Sequence, residues 1–356
     1  MNKKSIHYTL WQIGPGGMEL GVKHYSEQFS PLRKLHVFGL RPTGHQIFDA
    51  SKIDIKVGSG KKVQPYFDYF WYCRQYKNDI FHLQNGGPLV LLLTILAGVK
   101  NIVYHIHGTI YWKTAFQKIY LKTAWLAARM MLPFAKTTFI GNSQYSAHVF
   151  REKVLPVSLD VIYNGLDVQR FSSKKRLRTE MKRIGFAGRL AKGKNVDLVI
   201  RLFEEIADKY PETELHIAGD GVLRPELEQQ ARNSPYANRI VFHGHVQDVA
   251  SFYASVDLFL FLSAYESFGN VIAEALMTGL PTLTSNVPAF EEIYGNEPGF
   301  NLGLPSDYAQ IKKNFLEAIA DFPRLAASAH AISNRVEKQC SIENHLRQIE
   351  NVYEKY

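Results

Sequence analysis

The chain has 356 residues, 46% of them hydrophobic and 21% charged, with a formal net charge of +9. Length predicts about two domains. The composition excludes a disordered chain, and the longest apolar run, Pro88 to Val99, falls short of the ~20 residues a bilayer span needs. Two cysteines, Cys73 and Cys340, do not make a disulfide framework, and no apolar signal region follows Met1-Asn2-Lys3-Lys4, so a cytoplasmic location is expected. The charge is uneven. Residues 1–170 carry 21 Lys and Arg against 9 Asp and Glu, residues 171–356 carry 21 against 24, and no acid stands between Asp79 and Glu152. The first half is therefore expected to face something anionic.

In chain order, short runs rich in Val, Ile and Phe alternate with 3.6-period segments. Strands are expected at 5–9, 35–40, 79–83, 101–106, 137–141 and 159–162, with helices at 18–30, 89–97 and 115–131 between them. After the polar stretch Ser172-Ser173-Lys174-Lys175-Arg176 the series restarts, with strands at 183–187, 214–217, 240–242, 258–262 and 281–284 and helices at 195–208, 222–232, 249–255 and 271–278. Such alternation predicts two doubly wound α/β domains with parallel sheets and a cleft between them. Ligands should lie beyond the carboxyl ends of the strands. A helical tail from Ala326 to Tyr356 is long enough to pack back on the first domain. The boundaries read as 1–170, 171–335 and a returning helix over 336–356.

Four segments carry chemistry. Gly14-Pro15-Gly16-Gly17-Met18-Glu19 opens a helix after the first strand, but Glu19 stands where a dinucleotide fingerprint has its third glycine. In Gly188-Arg189-Leu190-Ala191-Lys192-Gly193-Lys194-Asn195, Arg189 and Lys194 can converge on one diphosphate, the first as a fork and the second as a point charge. Ala218-Gly219-Asp220-Gly221 ends another strand. In the segment from Ser263 to Ala275, Glu266 lies in a loop and Glu274 in the helix that follows. The amides of Phe268, Gly269 and Asn270 between them are expected to serve as helix-N-terminal donors. Two carboxylates flanking an anion site suit a nucleotide sugar.

Together with His105-Ile106-His107-Gly108, residues 161–167 with Phe171, and Phe242-His243-Gly244-His245-Val246, these segments resemble the retaining glycosyltransferases of family 4, with their GT-B fold and E-x7-E pair. The resemblance is to members that build bacterial surface polysaccharide. It implies two Rossmann-like domains facing a cleft. It also implies metal-independent transfer of a sugar from a nucleoside-diphosphate sugar, a UDP-sugar above all, to a saccharide or lipid-linked saccharide. Gly17, Arg189, Lys194, Phe268, Gly269 and Asn270 would meet the donor diphosphate. Glu266 would meet the transferred sugar, and Glu274, Val246 and Gly219 the ribose and base. His107 corresponds to the active-site histidine, with His105 as its rival. No cofactor is implied, and no D-x-D pair, the usual metal-holding motif of the other main transferase fold, occurs. A GT-B enzyme of other chemistry (an inverting transferase or an epimerase) and a silent binding subunit are the alternatives. A nucleic-acid partner is not expected, for the basic stretch is helical and carries no recognition motif. Lys118, Lys122, Trp125 and Arg129 share one face of the helix at 115–131, with Tyr111, Trp112 and Lys113 before it and Lys136 after it. That face is expected to dock on an anionic membrane surface, peripherally, on the inner side of the plasma membrane.

Overall fold

The computed structural model describes residues 3–13, 17–29, 33–41, 48–49, 51–60, 62–108, 115–295, 297 and 299–356; the side chains of residues 17–20, 28–29, 115–116 and 118 are outside that description. The chain divides into two units. One takes Met1–Gly165 with Ile342–Tyr356, the other Leu166–Ser341.

The first unit runs β1 (Ile6–Gln12), α1 (Gly17–Phe29), β2 (Leu35–Arg41), β3 (Asp54–Val57), α2 (Gln64–Gln75), β4 (Ile80–Gln84), α3 (Gly87–Leu96), β5 (Asn101–Ile106), α4 (Ala115–Met131), β6 (Lys136–Gly141), α5 (Gln144–Lys153) and β7 (Leu159–Val161). Its seven strands lie in the order β3-β2-β1-β4-β5-β6-β7, each pair parallel. The second unit runs α6 (Val168–Ser172), β8 (Arg183–Ala187), α7 (Val196–Ile206), β9 (Glu214–Ala218), α8 (Arg224–Arg232), β10 (Ile240–Gly244), α9 (Val249–Ser255), β11 (Leu258–Phe261), α10 (Asn270–Met277), β12 (Thr282–Thr284), α11 (Pro288–Tyr294), α12 (Tyr308–Ala320) and α13 (Phe322–Cys340). Its parallel sheet has the order β10-β9-β8-β11-β12. The last helix, α14 (Ile342–Tyr353), belongs to the first unit.

Period-2 alternation in the first sheet decides which side chains meet which helices. Phe81 and Leu83 of β4 and Ile102, Tyr104 and Ile106 of β5 point to the face covered by α2, α3, α4 and α5. Ile6, Tyr8 and Leu10 of β1 and Val103 of β5 point to the opposite face, where Val22 and Tyr25 of α1 meet Leu346, Ile349, Val352 and Tyr353 of α14. Residues 336–341, read from the sequence as part of the returning tail, complete α13 in the second unit. Only residues 342–356 return. Both cysteines are buried and free.

The returning helix is held by charge as well as by packing. The Glu350 carboxylate, buried, accepts from Arg33 Nη2 at 2.9 Å, Lys3 Nζ at 2.8 Å and Tyr25 Oη at 2.6 Å. Burial alone would raise its pKa, but the hydrogen bonds from Arg33, Lys3 and Tyr25 outweigh burial and hold it below the usual carboxylate range. Arg33 is itself only 6% exposed. Replacing Glu350 by Ala strands that guanidinium and should cost about 3–5 kcal/mol. Urea unfolding of the full chain measures the loss, and the double replacement Arg33→Met/Glu350→Leu should recover part of it. A single variant as stable as the parent would show that the pair contributes nothing.

Candidate functional site

In the second unit the segments after β8, β9, β10 and β11 are joined by backbone hydrogen bonds at the carboxyl ends of the strands. Gly188 N donates to Ala218 O (2.9 Å), Leu190 N to Asp220 O (2.9 Å), Gly219 N to Gly244 O (2.7 Å) and Ala264 N to Gly193 O (2.7 Å). Gly219 has φ +135°, and a Cβ there would lie 1.8 Å from Gly188 O. Any side chain at 219 would force the first two loops apart. Leu190, fully buried, anchors the first loop beneath its exposed neighbour Arg189.

Charge is concentrated on these loops. The Arg189 side chain is exposed and has no hydrogen-bond or ion-pair partner among the described residues. The Lys194 ammonium pairs with the Glu266 carboxylate and sits 5.1 Å over the Phe261 ring. Phe268 is buried, Gly269 caps α10, and the first turn of that helix carries Asn270. The helix dipole thus adds partial positive charge at the same loop. Glu274, one turn into α10, is half-buried and accepts from Tyr253 Oη at 3.0 Å. Burial raises its pKa against that hydrogen bond. Val246 is half-buried in the loop between β10 and α9. The structure therefore brings Lys194 and Glu266 together as an ion pair, where the family resemblance implies separate ligands for them. An anion arriving at these loops meets one unpartnered guanidinium and one ammonium whose carboxylate partner can be exchanged.

In the first unit, a polar recess opens at the carboxyl ends of β4 and β5, lined among others by Tyr8, Tyr25, His82, Gln84, His105, His107 and His345. His107, one residue past β5, is half-buried, and its Nε2 donates to Gln84 Oε1. His105, inside the strand, is 1% exposed and reaches His82 Nε2 with its Nδ1 at 3.3 Å. Both rivals line the recess; His107 is the one past the strand end and the less buried of the two. Gly17 opens α1; the preceding Gly14-Pro15-Gly16 lies outside the described residues.

One expectation is corrected. Trp125 does not lie on an outward face of α4. It is 4% exposed and packs edge to face against Tyr104 (5.7 Å) and Phe150 (5.2 Å). The four residues singled out do share a flank of the helix, but Trp125 stands at its inner margin, where a large ring turns into the core. Lys122 and Arg129 are exposed, while the side chain of Lys118 and all of Tyr111, Trp112 and Lys113 lie outside the description. The outward stripe consists instead of Ile119, Leu126 and Met130, at i, i+7 and i+11 and 59–71% exposed.

Sequence reasoning missed His82, Gln84, Tyr253 and His345. The first two repeat, at the end of β4, the alternate-residue polar pattern of His105-Ile106-His107 at the end of β5, and that pattern was a readable signal. His345 had none: a lone histidine in a tail helix is placed only by the fold.

The comparisons with known proteins agree on one family. Residues 15–170 match the family profile of Glycosyltransferase Family 4, and residues 167–338 that of Glycosyl transferases group 1. The O-antigen biosynthesis glycosyltransferase WclY of Escherichia coli is 24% identical over 361 residues, 96% of this chain and 98% of its own length. The lipopolysaccharide core biosynthesis mannosyltransferase LpsB of Rhizobium meliloti is 29% identical over 216 residues, 56% of this chain and 62% of its own length. Among solved structures, Anabaena HepE in complex with UDP-glucose superposes with a TM-score of 0.76 at 20% identity, covering 99% of this chain and 100% of that one.

The imidazoles of the recess make a prediction about pH. Burial lowers the pKa of His82, His105 and His345, and burial together with the neighbouring His345 pushes that of His107 down to about 3. The folded chain keeps them neutral, while the unfolded chain protonates them below about pH 6.5. The unfolded state then binds more protons, so stability falls with falling pH. The urea midpoint should decline between about pH 7 and about pH 5, above the main titration range of carboxylates, and less steeply in His107→Gln. A flat midpoint over that window would contradict neutral burial.

Proposed function

The chain belongs to the family 4 glycosyltransferases of GT-B fold, and on that premise we propose that it moves a sugar from a UDP-sugar to a saccharide or lipid-linked saccharide of a bacterial surface glycan, with retention and without a metal. The observation that carries the proposal is the unpartnered Arg189 on the same loop as Lys194, whose partner Glu266 lies in the segment that leads into α10. UDP in the related HepE complex and the surface-glycan names of WclY and LpsB support the donor and acceptor classes.

In this reading Arg189, Lys194 and the backbone at Phe268, Gly269 and Asn270 receive the diphosphate. Lys194 exchanges Glu266 for phosphate oxygen, which frees the carboxylate for hydroxyls of the transferred sugar. Glu274 accepts from the ribose hydroxyls, and Val246 and Gly219 offer backbone to base and ribose. His107, kept neutral, hydrogen-bonds the sugar without adding charge. The bond from the anomeric carbon to phosphate oxygen breaks through an oxocarbenium-like state. The acceptor oxygen bonds to the same face, and its proton passes to the departing diphosphate. Charge building on that leaving group is what the cations and the helix terminus stabilise.

Arg189→Ala removes a charge-assisted hydrogen bond worth ~1.5–3 kcal/mol, so calorimetry should find UDP bound about tenfold or more weakly, with the melting temperature unchanged because the side chain is exposed. Unaltered UDP affinity would remove the assignment. Activity should survive EDTA, and the product anomer should match the donor's. Abolition restored by Mn²⁺, or an inverted anomer, would contradict the mechanism.

The same reading extends to an anionic membrane that presents the acceptor. The helical layer α2, α3 and α4 carries Phe67, Trp71, Leu96, Ile119, Leu126 and Met130 outward, each more than half exposed. Lys100, Lys122 and Arg129 are exposed on the same unit, the latter two on α4 itself. Apolar side chains rimmed by cations suit the headgroup region of a bilayer. Among the described residues no helix is long and apolar enough to cross one. Flotation with vesicles containing phosphatidylglycerol should recover the protein, weaken with salt, and fail for Lys122→Glu/Leu126→Glu. Equal recovery of that variant would leave the layer without this role.

A further inference from the structure

A hydrogen bond at the recess of the first unit fixes which ring nitrogen of His345 carries the proton. The Tyr163 carbonyl can only accept, so His345 Nδ1, 2.7 Å away, is protonated, and Nε2 of the neutral ring is a lone pair. That nitrogen has no protein donor among the described residues. Tyr353 Oη donates to Tyr8 Oη at 2.8 Å and accepts from His82 Nδ1, which leaves His82 Nε2 as an acceptor facing both Gln84 Nε2 at 3.4 Å and His105 Nδ1 at 3.3 Å. His105 Nε2 is buried with no partner. The His105 and His345 rings lie 6.3 Å apart between centroids and are nearly parallel, at 20°. His345 Nε2 is thus a neutral acceptor on the wall of this recess, with no carboxylate or ammonium among the lining residues. No group of three or more His, Cys, Asp or Glu among the described residues is placed to hold a metal ion. What meets such a wall is an uncharged hydrogen-bond donor, a hydroxyl.

The depth of His345 is set by the chain itself. A Cβ on Gly165 would lie 2.6 Å from Ile342 and 2.8 Å from His345, so a glycine there is what lets α14 come this close. We propose that His345 is an acceptor-selecting residue: its Nε2 takes a hydrogen bond from a hydroxyl of the acceptor saccharide at the recess. The proposal rests on the reading that this chain glycosylates a saccharide. It adds a contact from the C-terminal helix, remote in sequence from every motif.

The test uses the full-length chain carrying ¹⁵N-labelled histidine. The methyl α-glycosides of glucose, galactose, mannose and N-acetylglucosamine are added singly, and UDP is titrated into the same samples. The free protein should show His345 as the Nδ1–H tautomer. At least one glycoside should shift its Nε2 resonance and bind about tenfold more weakly to His345→Phe, which keeps the volume and loses the acceptor, than to His345→Gln, which keeps an acceptor oxygen. Equal UDP affinity in both variants reports intact folding. Protein that binds UDP while its His345 signal ignores every glycoside has solvent only in the recess, and the proposal falls with the transferase reading untouched. A His345 response without any UDP binding would do the reverse. Equal glycoside affinity in the Phe and Gln variants would also overturn it.

Discussion

The buried carboxylate of Glu350 ties the two ends of the chain into one unit. It draws Lys3, Tyr25 and Arg33 onto the last helix. Around it, Leu346, Ile349, Val352 and Tyr353 complete the apolar layer that β1 and α1 cannot close alone. A buried ion pair is weak evidence for stability by itself, since an apolar pair of similar volume can do as well. Its consequence here is register: α14 can sit in only one rotation and depth, with Tyr353 against His82 and His345 against Tyr163. The chemistry at the carboxyl ends of β4 and β5 thus depends on residues more than two hundred positions further along the chain.

The two units handle polarity in opposite ways. The second concentrates formal charge on exposed loops, where Arg189 stays solvated and Lys194 is compensated by Glu266. Such groups can trade partners when a diphosphate arrives. The first unit buries imidazoles until they are neutral, so they act by direction of lone pairs and not by field. A group-transfer enzyme needs both behaviours. Charge that builds on a leaving diphosphate calls for cations, whereas an incoming hydroxyl must be positioned without being held by ionic attraction.

Much of this was legible in the sequence because the sheets are parallel and buried. The strands at 101–106 and 183–187 and the helices at 115–131 and 249–255 have the bounds the periodicity predicts. The edge strand β3 was not visible, for Asp54-Ile55-Lys56-Val57 is mostly exposed and lacks an apolar run. Helix α2 was hidden for a different reason: Tyr69 and Tyr72 are buried while Phe67 and Trp71 are exposed, so aromatic residues on both faces erase the period. The loops bearing Arg189, Lys194 and Glu266, and the helix bearing Glu274, could be placed because each segment follows a strand. The inward turn of Trp125 could not, since helical spacing gives a shared flank without saying on which side of the flank the core lies.

The central claim is that the loops after β8, β9, β10 and β11 together receive a nucleoside diphosphate. Hydrogen–deuterium exchange of the full chain with and without UDP addresses it directly. The account predicts that UDP slows exchange in peptides covering residues 188–195, 219–221, 244–246 and 263–274, and that this protection is lost in Arg189→Ala at the same UDP concentration. Binding of UDP with no protection in those four segments, or with protection confined to the first unit, would contradict it.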